Sequence, residues 1–301
     1  MAMKKTVIVD APGKVNLALD VTGKRPDGYH TVDTIMQAVD LCDTVTISRM
    51  SGKGIYISCD RQMIPCDETN YAHVAARKFF ERFGQPDTAI SIDIQKRIPV
   101  QAGLAGGSAD AAGVLVGLNA LFGTGADRGT LCEIGVQVGA DVPFCIVGGT
   151  QRARGIGNEF TPLPPLPACH ILIAKPGPGM STPESYRRYD ERGAKRRPDM
   201  PALLRLLEAG ELKAFARGMV NVLGEVADLP EIPFLRERMC EAGALGALMS
   251  GSGSAVFGIF EDRGPAKHCM RRLYSHAEAV FLSRAVTYGA VVLDLVEGKE
   301  S

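Results

Sequence analysis

Residues 103–112 read Gly-Leu-Ala-Gly-Gly-Ser-Ala-Asp-Ala-Ala, three glycines directly before a segment of helical character that runs from Ser108 to Phe122. No other stretch of the chain narrows its folding as much. Glycine admits backbone angles and close approaches that a Cβ forbids. The start of a helix exposes unpaired N–H groups and a partial positive charge. Joined, the two make an anion cradle, or else a tight turn whose only task is to link a strand to a helix. Both readings stand at this point. Ser108 suits an N-cap, which puts the helix start there.

The rest of the chain supplies strands and helices in irregular order. Thr6–Asp10, Leu17–Val21 and Thr44–Ser48 are β-rich runs, and residues 54–58 and 89–94 alternate apolar with polar positions as half-buried strands do. From Asn70 to Phe83 the apolar positions Ala72, Ala75, Ala76, Phe79, Phe80 and Phe83 share a helical face, closed by Gly84. Further helices are predicted over 130–138, 200–208, 212–223, 234–242 and 265–276, and strands over 170–174, 255–260 and 291–296. Strands and helices do not repeat as βαβ units, so the class is α+β rather than a doubly wound sheet. Four prolines between 162 and 167 break the composition and set a boundary between lobes at 1–161 and 168–301.

Composition excludes several functions. Lys plus Arg and Asp plus Glu both total 34, which argues against a general nucleic-acid binder. Thr6–Val9 is too short for the apolar part of an export signal. The uncharged run 242–260 carries Ser-Gly-Ser-Gly-Ser in its middle, where backbone groups would go unpaired in lipid, so no membrane span is expected. The eight cysteines are scattered with no CxxC pair, as free thiols in a reducing cytosol would be. A P-loop, a dinucleotide fingerprint, a GxSxG elbow and an HExxH motif are all absent.

Four other segments carry chemistry, each with a plainer alternative. In Ala11-Pro12-Gly13-Lys14-Val15-Asn16, a lysine at a strand end either enters a cleft or is solvated. In Gly139-Ala140-Asp141-Val142-Pro143-Phe144, a carboxylate among apolar neighbours needs a partner. It is either a cap or the mate of a cation such as Lys14, in which case it stays ionised and able to take a hydroxyl proton. Tyr29 and His30 together suit a nucleobase; apart, they read as a core tyrosine and a surface histidine. The loop Ser250–Ser254 either closes on a ligand or only connects. The basic run Arg187, Arg188, Arg192, Lys195, Arg196, Arg197 reads as a solvated face.

Taken in order, the Lys14 segment, the 103–112 loop and the Met249–Gly253 loop resemble the three motifs of the GHMP kinases, which include galactokinase, homoserine kinase and mevalonate kinase. Within that superfamily, Gly23-Lys24-Arg25-Pro26-Asp27-Gly28-Tyr29-His30, Leu41-Cys42-Asp43 and 139–144 are similar to the branch acting on 4-diphosphocytidyl-2-C-methyl-D-erythritol. The resemblance spans roughly residues 10–260. It implies a two-lobed fold with the active site in the cleft between lobes. It also implies an ATP-dependent kinase, with Mg²⁺, that phosphorylates the 2-hydroxyl of that cytidine compound in the non-mevalonate isoprenoid precursor pathway. Lys14 and Asp141 would be catalytic. Gly103, Leu104, Ala105, Gly106, Gly107 and Ser108 would hold the ATP phosphates, and Asn70 and Tyr71 its adenine. Asn16, Tyr29, His30, Thr182 and Tyr186 would hold the acceptor. Ala105 departs from the family's common Gly, Ala109-Asp110 from its Ser-Asn or Ser-Asp, and Tyr186 from its Phe. The alternatives are a GHMP kinase for homoserine, mevalonate or a sugar, and a non-catalytic nucleotide-binding relative.

Overall fold

A computed structural model describes residues 4–84 and 88–298. The first three residues and the outer ends of both expected lobes therefore lie outside the described residues. The chain opens with a long hairpin, β1 (Lys4–Lys24) and β2 (His30–Met50). Then follow β3 (Gly54–Cys59), α1 (Tyr71–Phe83), β4 (Ala89–Gln95), α2 (Gly106–Phe122), α3 (Arg128–Gly135) and α4 (Val142–Val147). The hairpin β5 (Thr150–Arg154) and β6 (Glu159–Pro162) ends this part. The remainder comprises β7 (His170–Lys175), α5 (Thr182–Arg192), α6 (Met200–Glu208), α7 (Leu212–Gly218), α8 (Glu231–Glu241), β8 (Gly246–Met249), β9 (Val256–Phe260), α9 (Arg263–Leu273), β10 (Ala279–Ser283) and β11 (Val291–Gly298).

Two sheets result, and the fold is α+β. The first orders its strands β11-β1-β2-β4-β3, with β5 paired to β2 and β6 to β5; the second runs β10-β7-β9-β8, antiparallel throughout. The proline stretch joins β6 to β7, where the chain leaves one sheet for the other. The last strand comes back: β11 pairs antiparallel with β1, Thr6 facing Val296. Residues 291–298 therefore sit with the first sheet, which departs from the division 1–161 and 168–301.

The sequence reading divided β1 and β2 into short strands with Ala11–Asn16 as a connection. The structure runs both strands through, and absorbs the irregular residues as register shifts at Pro12/Lys14, Asn16/Ala18 and Val21/Gly23. Bulges allow this, because an extra residue bends a strand without ending it, and proline is tolerated where no ladder bond is needed. One end of the hairpin packs Val7, Val9, Val45 and Ile47 with Val114, Leu115 and Leu118 of α2 in the first core. The other end places Leu19, Val21 and Val32 in the second core, with Leu172, Leu223 and Met249. The hairpin thus contributes to both cores, and its register shifts at Pro12/Lys14 and Asn16/Ala18 fall between these two ends.

Helix α1 begins at Tyr71, one residue inside the start read from the sequence, with Asn70 as its N-cap. Asn70 Oδ1 accepts from Ala72 N (2.8 Å), and Gly84 closes the helix in the left-handed conformation. Helix α2 starts two residues early, at Gly106, after a left-handed Ala105 that makes no side-chain cap bond. Ser108 is therefore inside the first turn and is not the N-cap. α4, α5, β5, β6, β8 and β10 were not read from the sequence: each is short or, in α5, strongly polar, so periodicity gives little signal. Among the described residues no helix is long and apolar enough to cross a membrane, and the uncharged run 242–260 forms β8, a loop and β9. All eight cysteines are free.

Candidate active site

Three segments far apart in sequence meet at the bulged centre of the hairpin. The register shift frees the Lys14 amide from the ladder, and it donates instead to Leu104 O (3.1 Å), tying β1 to the glycine loop. Ser250 Oγ donates to Gly103 O (2.9 Å) and accepts from Asn16 N (3.2 Å), so the Ser/Gly loop after β8 locks onto both. Gly103 has φ +73°, and a Cβ there would stand 2.0 Å from Ser250 O. No other residue fits that crossing. Asn221 holds the Ser/Gly loop from behind, donating to Met249 O (2.8 Å) and Gly251 O (2.7 Å).

Lys14 is not a solvated surface lysine. Its side chain is only 5% exposed, and Nζ donates to Asn16 Oδ1 (2.6 Å) and lies 3.6 Å from Asp141 Oδ2. The Asn16 amide is oriented in turn. Its Nδ2 donates to Thr34 Oγ1 (2.9 Å), which donates to Ala18 O (2.6 Å). Asn16 and Thr34 thereby fix the ammonium, and Thr34 carried no signal in the sequence. Asp141 stands at the N-cap position of α4 but makes no side-chain cap bond. Of the two sequence readings, the cation partner holds, and the carboxylate, 35% exposed, is free on its solvent side.

The start of α2 faces the same space. No side-chain cap bond is made at its N-terminus, where a helix exposes unpaired N–H groups and a partial positive charge. A Cβ at Gly107 would meet nothing nearer than Tyr71 Cδ2 at 3.8 Å, and a Cβ at Gly139 would lie 3.8 Å from Ser108 Oγ. The space in front of Gly107 is open, and Tyr71, 45% exposed, borders it. Ala105 at φ +60° pays a strain that Gly would not. Asn70 differs from its expected use. Beyond its cap bond, its Nδ2 donates to Pro65 O (2.7 Å), so both ends of the amide are taken by backbone. Asn70→Ala is expected to lower unfolding free energy by about 0.5–2 kcal/mol, the usual worth of a cap, as measured by denaturant titration.

His30 and Tyr186 form the remaining feature. Their rings stack with centroids 4.6 Å apart and planes at 19°. His30 Nε2 lies 2.7 Å from Asp190 Oδ1, and Lys24 Nζ is 2.5 Å from Asp190 Oδ2. Bonds from Lys24 and then His30 hold the Asp190 carboxyl below its ordinary range. Burial, with a smaller contribution from the charge of Asp141, pushes the Tyr186 phenol up to about 12, so it stays neutral. The pairing differs from the sequence reading, which set Tyr29 beside His30. Tyr29 lies in the hairpin turn, 66% exposed, whereas His30, the first residue of β2, has a side chain only 9% exposed. Thr182 Oγ1 meets Ser252 Oγ (2.9 Å), linking α5 to the Ser/Gly loop. The basic run on and after α5 is largely neutralised: Arg187 and Arg188 pair with Glu184, Arg192 with Asp228, and Arg197 with Asp20.

Residues 70–149 match the GHMP kinases N-terminal domain, and residues 203–279 the GHMP kinases C-terminal domain. A 4-diphosphocytidyl-2-C-methyl-D-erythritol kinase from Caldicellulosiruptor saccharolyticus is 43% identical over 279 residues, covering 92% of this chain and 96% of that protein.

The chain belongs to the GHMP kinase family.

Among solved structures, a 4-(cytidine 5'-diphospho)-2C-methyl-D-erythritol kinase is 34% identical with a TM-score of 0.78, covering 92% of this chain and 98% of that one. A homoserine kinase from Cytophaga hutchinsonii has nearly the same TM-score, 0.77, at 20% identity, covering 97% of this chain and 99% of that one. The kinase fold is thus common to branches with different acceptors, and the choice of acceptor has to be argued from the site.

Proposed function

We propose that the protein transfers the γ-phosphoryl group of ATP to the 2-hydroxyl of 4-diphosphocytidyl-2-C-methyl-D-erythritol, a step of the non-mevalonate isoprenoid precursor pathway, in the cytoplasm. The amides of 103–108 hold the triphosphate and Tyr71 borders the adenine end. Lys14 and Asn16 floor the cleft where the erythritol part lies. Asp141 takes the 2-hydroxyl proton as that oxygen bonds to the γ-phosphorus and the bond to the β–γ bridging oxygen breaks, leaving ADP. Lys14, 3.6 Å from Asp141, offsets charge on the transferring group. Positioning and charge neutralisation are most of what such a transfer requires. Mg²⁺ bound together with ATP would neutralise its phosphates. We assign the lobes by sheet: residues 4–162 with 291–298, and 168–283.

The observation that carries the acceptor is the His30–Tyr186 stack, with Thr182 on the same helix as Tyr186. Homoserine, mevalonate and galactose have no base to lay on an aromatic shelf. Base–aromatic stacking contributes about 1–3 kcal/mol, so Tyr186→Ala is expected to raise KM for the cytidine acceptor about 5- to 150-fold and leave KM for ATP unchanged. In thermal unfolding, CDP is expected to raise the midpoint of the parent protein and to lose that effect in Tyr186→Ala. Equal protection of both proteins would remove the shelf from acceptor binding.

A further inference from the structure

Behind the glycine loop lies a charged cluster that the reaction as described does not use. The Lys96 ammonium is paired with Asp43 and, at 2.7 Å, with Asp110, and no side chain of the three is more than 5% exposed. Each belongs to a different element. Asp43 is on β2, and its Oδ1 accepts from the amides of Arg97 (2.6 Å) and Ile98 (2.8 Å). Lys96 directly follows β4, its own amide donating to Asp60 Oδ1 (3.0 Å). Asp110 is in the second turn of α2. A Cβ at Gly106 would stand 3.2 Å from Lys96 Nζ, so the ammonium lies against the first residue of that helix.

Stability alone does not explain this placement. A buried ammonium loses its hydration at a cost of several kcal/mol, and apolar residues of like volume serve a core as well or better than a buried ion pair. A cation beside a helix N-terminus also faces partial charge of its own sign. Burial works against the charge on Lys96, but Asp110 and Asp43 outweigh it and its pKa is raised. What the cluster does give is one point joined to β2, to the end of β4 and to α2. The loop between Lys96 and Asp110 is held at its outer side by Lys14 and Ser250, through Leu104 O and Gly103 O, and at its helix end by Lys96.

We propose that Lys96 is a positioning residue for the nucleotide, anchoring the junction of loop and α2 so that the amides of 103–108 stay aimed at one phosphate site. This rests on reading that loop as the ATP cradle. A residue that acts this way moves the ATP constants and leaves those of the acceptor alone.

The test compares Lys96→Met, Lys96→Met/Asp110→Leu and Gly107→Val with the parent, measuring KM for ATP, KM for the cytidine acceptor, kcat and the thermal midpoint. Lys96→Met is expected to raise KM for ATP about 10- to 100-fold, in keeping with the cost of small misplacements at a reacting centre, with KM for the acceptor within about twofold. That variant leaves Asp110 without its cation and is expected to be less stable. The double variant removes both charges and is expected to recover the thermal midpoint while KM for ATP stays raised. Recovery of both together would overturn the proposal and leave Lys96 a stability role only, as would an equal rise in both KM values. Gly107→Val separates the two layers of the argument. If it cripples ATP use while both Lys96 variants keep the parent's KM for ATP, the positioning role fails and the cradle stands. If it leaves ATP use unchanged, the cradle reading fails and the proposal with it.

Discussion

Asp141→Asn is expected to lower kcat by about 10²- to 10⁴-fold, the range that a positioned general base contributes, while KM for ATP and for the acceptor each change less than about threefold. The substitution keeps the shape of the side chain and removes its charge. Asp141 holds no cap bond, so its replacement breaks nothing in α4. Its ion-pair partner is Lys14 at 3.6 Å; the ammonium keeps its bond to Asn16 in the variant. The loss should therefore appear in turnover and hardly in folding or in binding, the pattern of an interaction made in the transition state. Steady-state kinetics with both substrates varied checks this. A kcat within tenfold of the parent would take Asp141 out of the proton transfer.

Gly107→Val is expected to raise KM for ATP by about 100-fold or more, because its side chain would occupy the position of a phosphate and displace the reacting group. The thermal midpoint should stay within a degree or two of the parent's. The reason lies in the space in front of it, where the nearest atom to an added Cβ is Tyr71 Cδ2 at 3.8 Å. Gly103 offers the contrast. A Cβ there would fall 2.0 Å from Ser250 O, so Gly103→Val is expected to disrupt the joint between the two loops and unfold at lower temperature. The prediction is thus a loss of ATP binding at one glycine and a loss of stability at the other. Isothermal titration with a non-hydrolysable ATP analogue, beside a melting curve, reads the difference.

How much of this was legible in the sequence varies residue by residue. The glycine loop, Lys14 and Asp141 stood out because glycine before a helix and a charge among apolar residues are local features. Helix α1 was found to within one residue at its start because its apolar face and its closing glycine agree. The long strands were harder. Pro12 and Gly13 look like a strand end, and only the pairing of Lys14 with Ala38 across the hairpin shows that β1 continues. The His30–Tyr186 stack joins residues on β2 and α5 by ring contact, which no spacing encodes, so the sequence reading gave the histidine its neighbour Tyr29 instead. Lys96, Asp43 and Asp110 are in plain view in the sequence, yet no local pattern links the three. Their closure into one buried cluster depends on three elements packing together. The return of β11 to the first sheet is likewise long-range pairing, invisible to the proline break that marks the crossing at 162–167.

The central claim is the reaction itself, and ADP release from ATP and Mg²⁺ tests it most directly, with 4-diphosphocytidyl-2-C-methyl-D-erythritol, homoserine, mevalonate and galactose assayed in parallel and the phosphorylated carbon located by ³¹P NMR. The account predicts release with the cytidine compound alone and a new phosphate on its 2-hydroxyl. Release with one of the other three, or none with any, would contradict it.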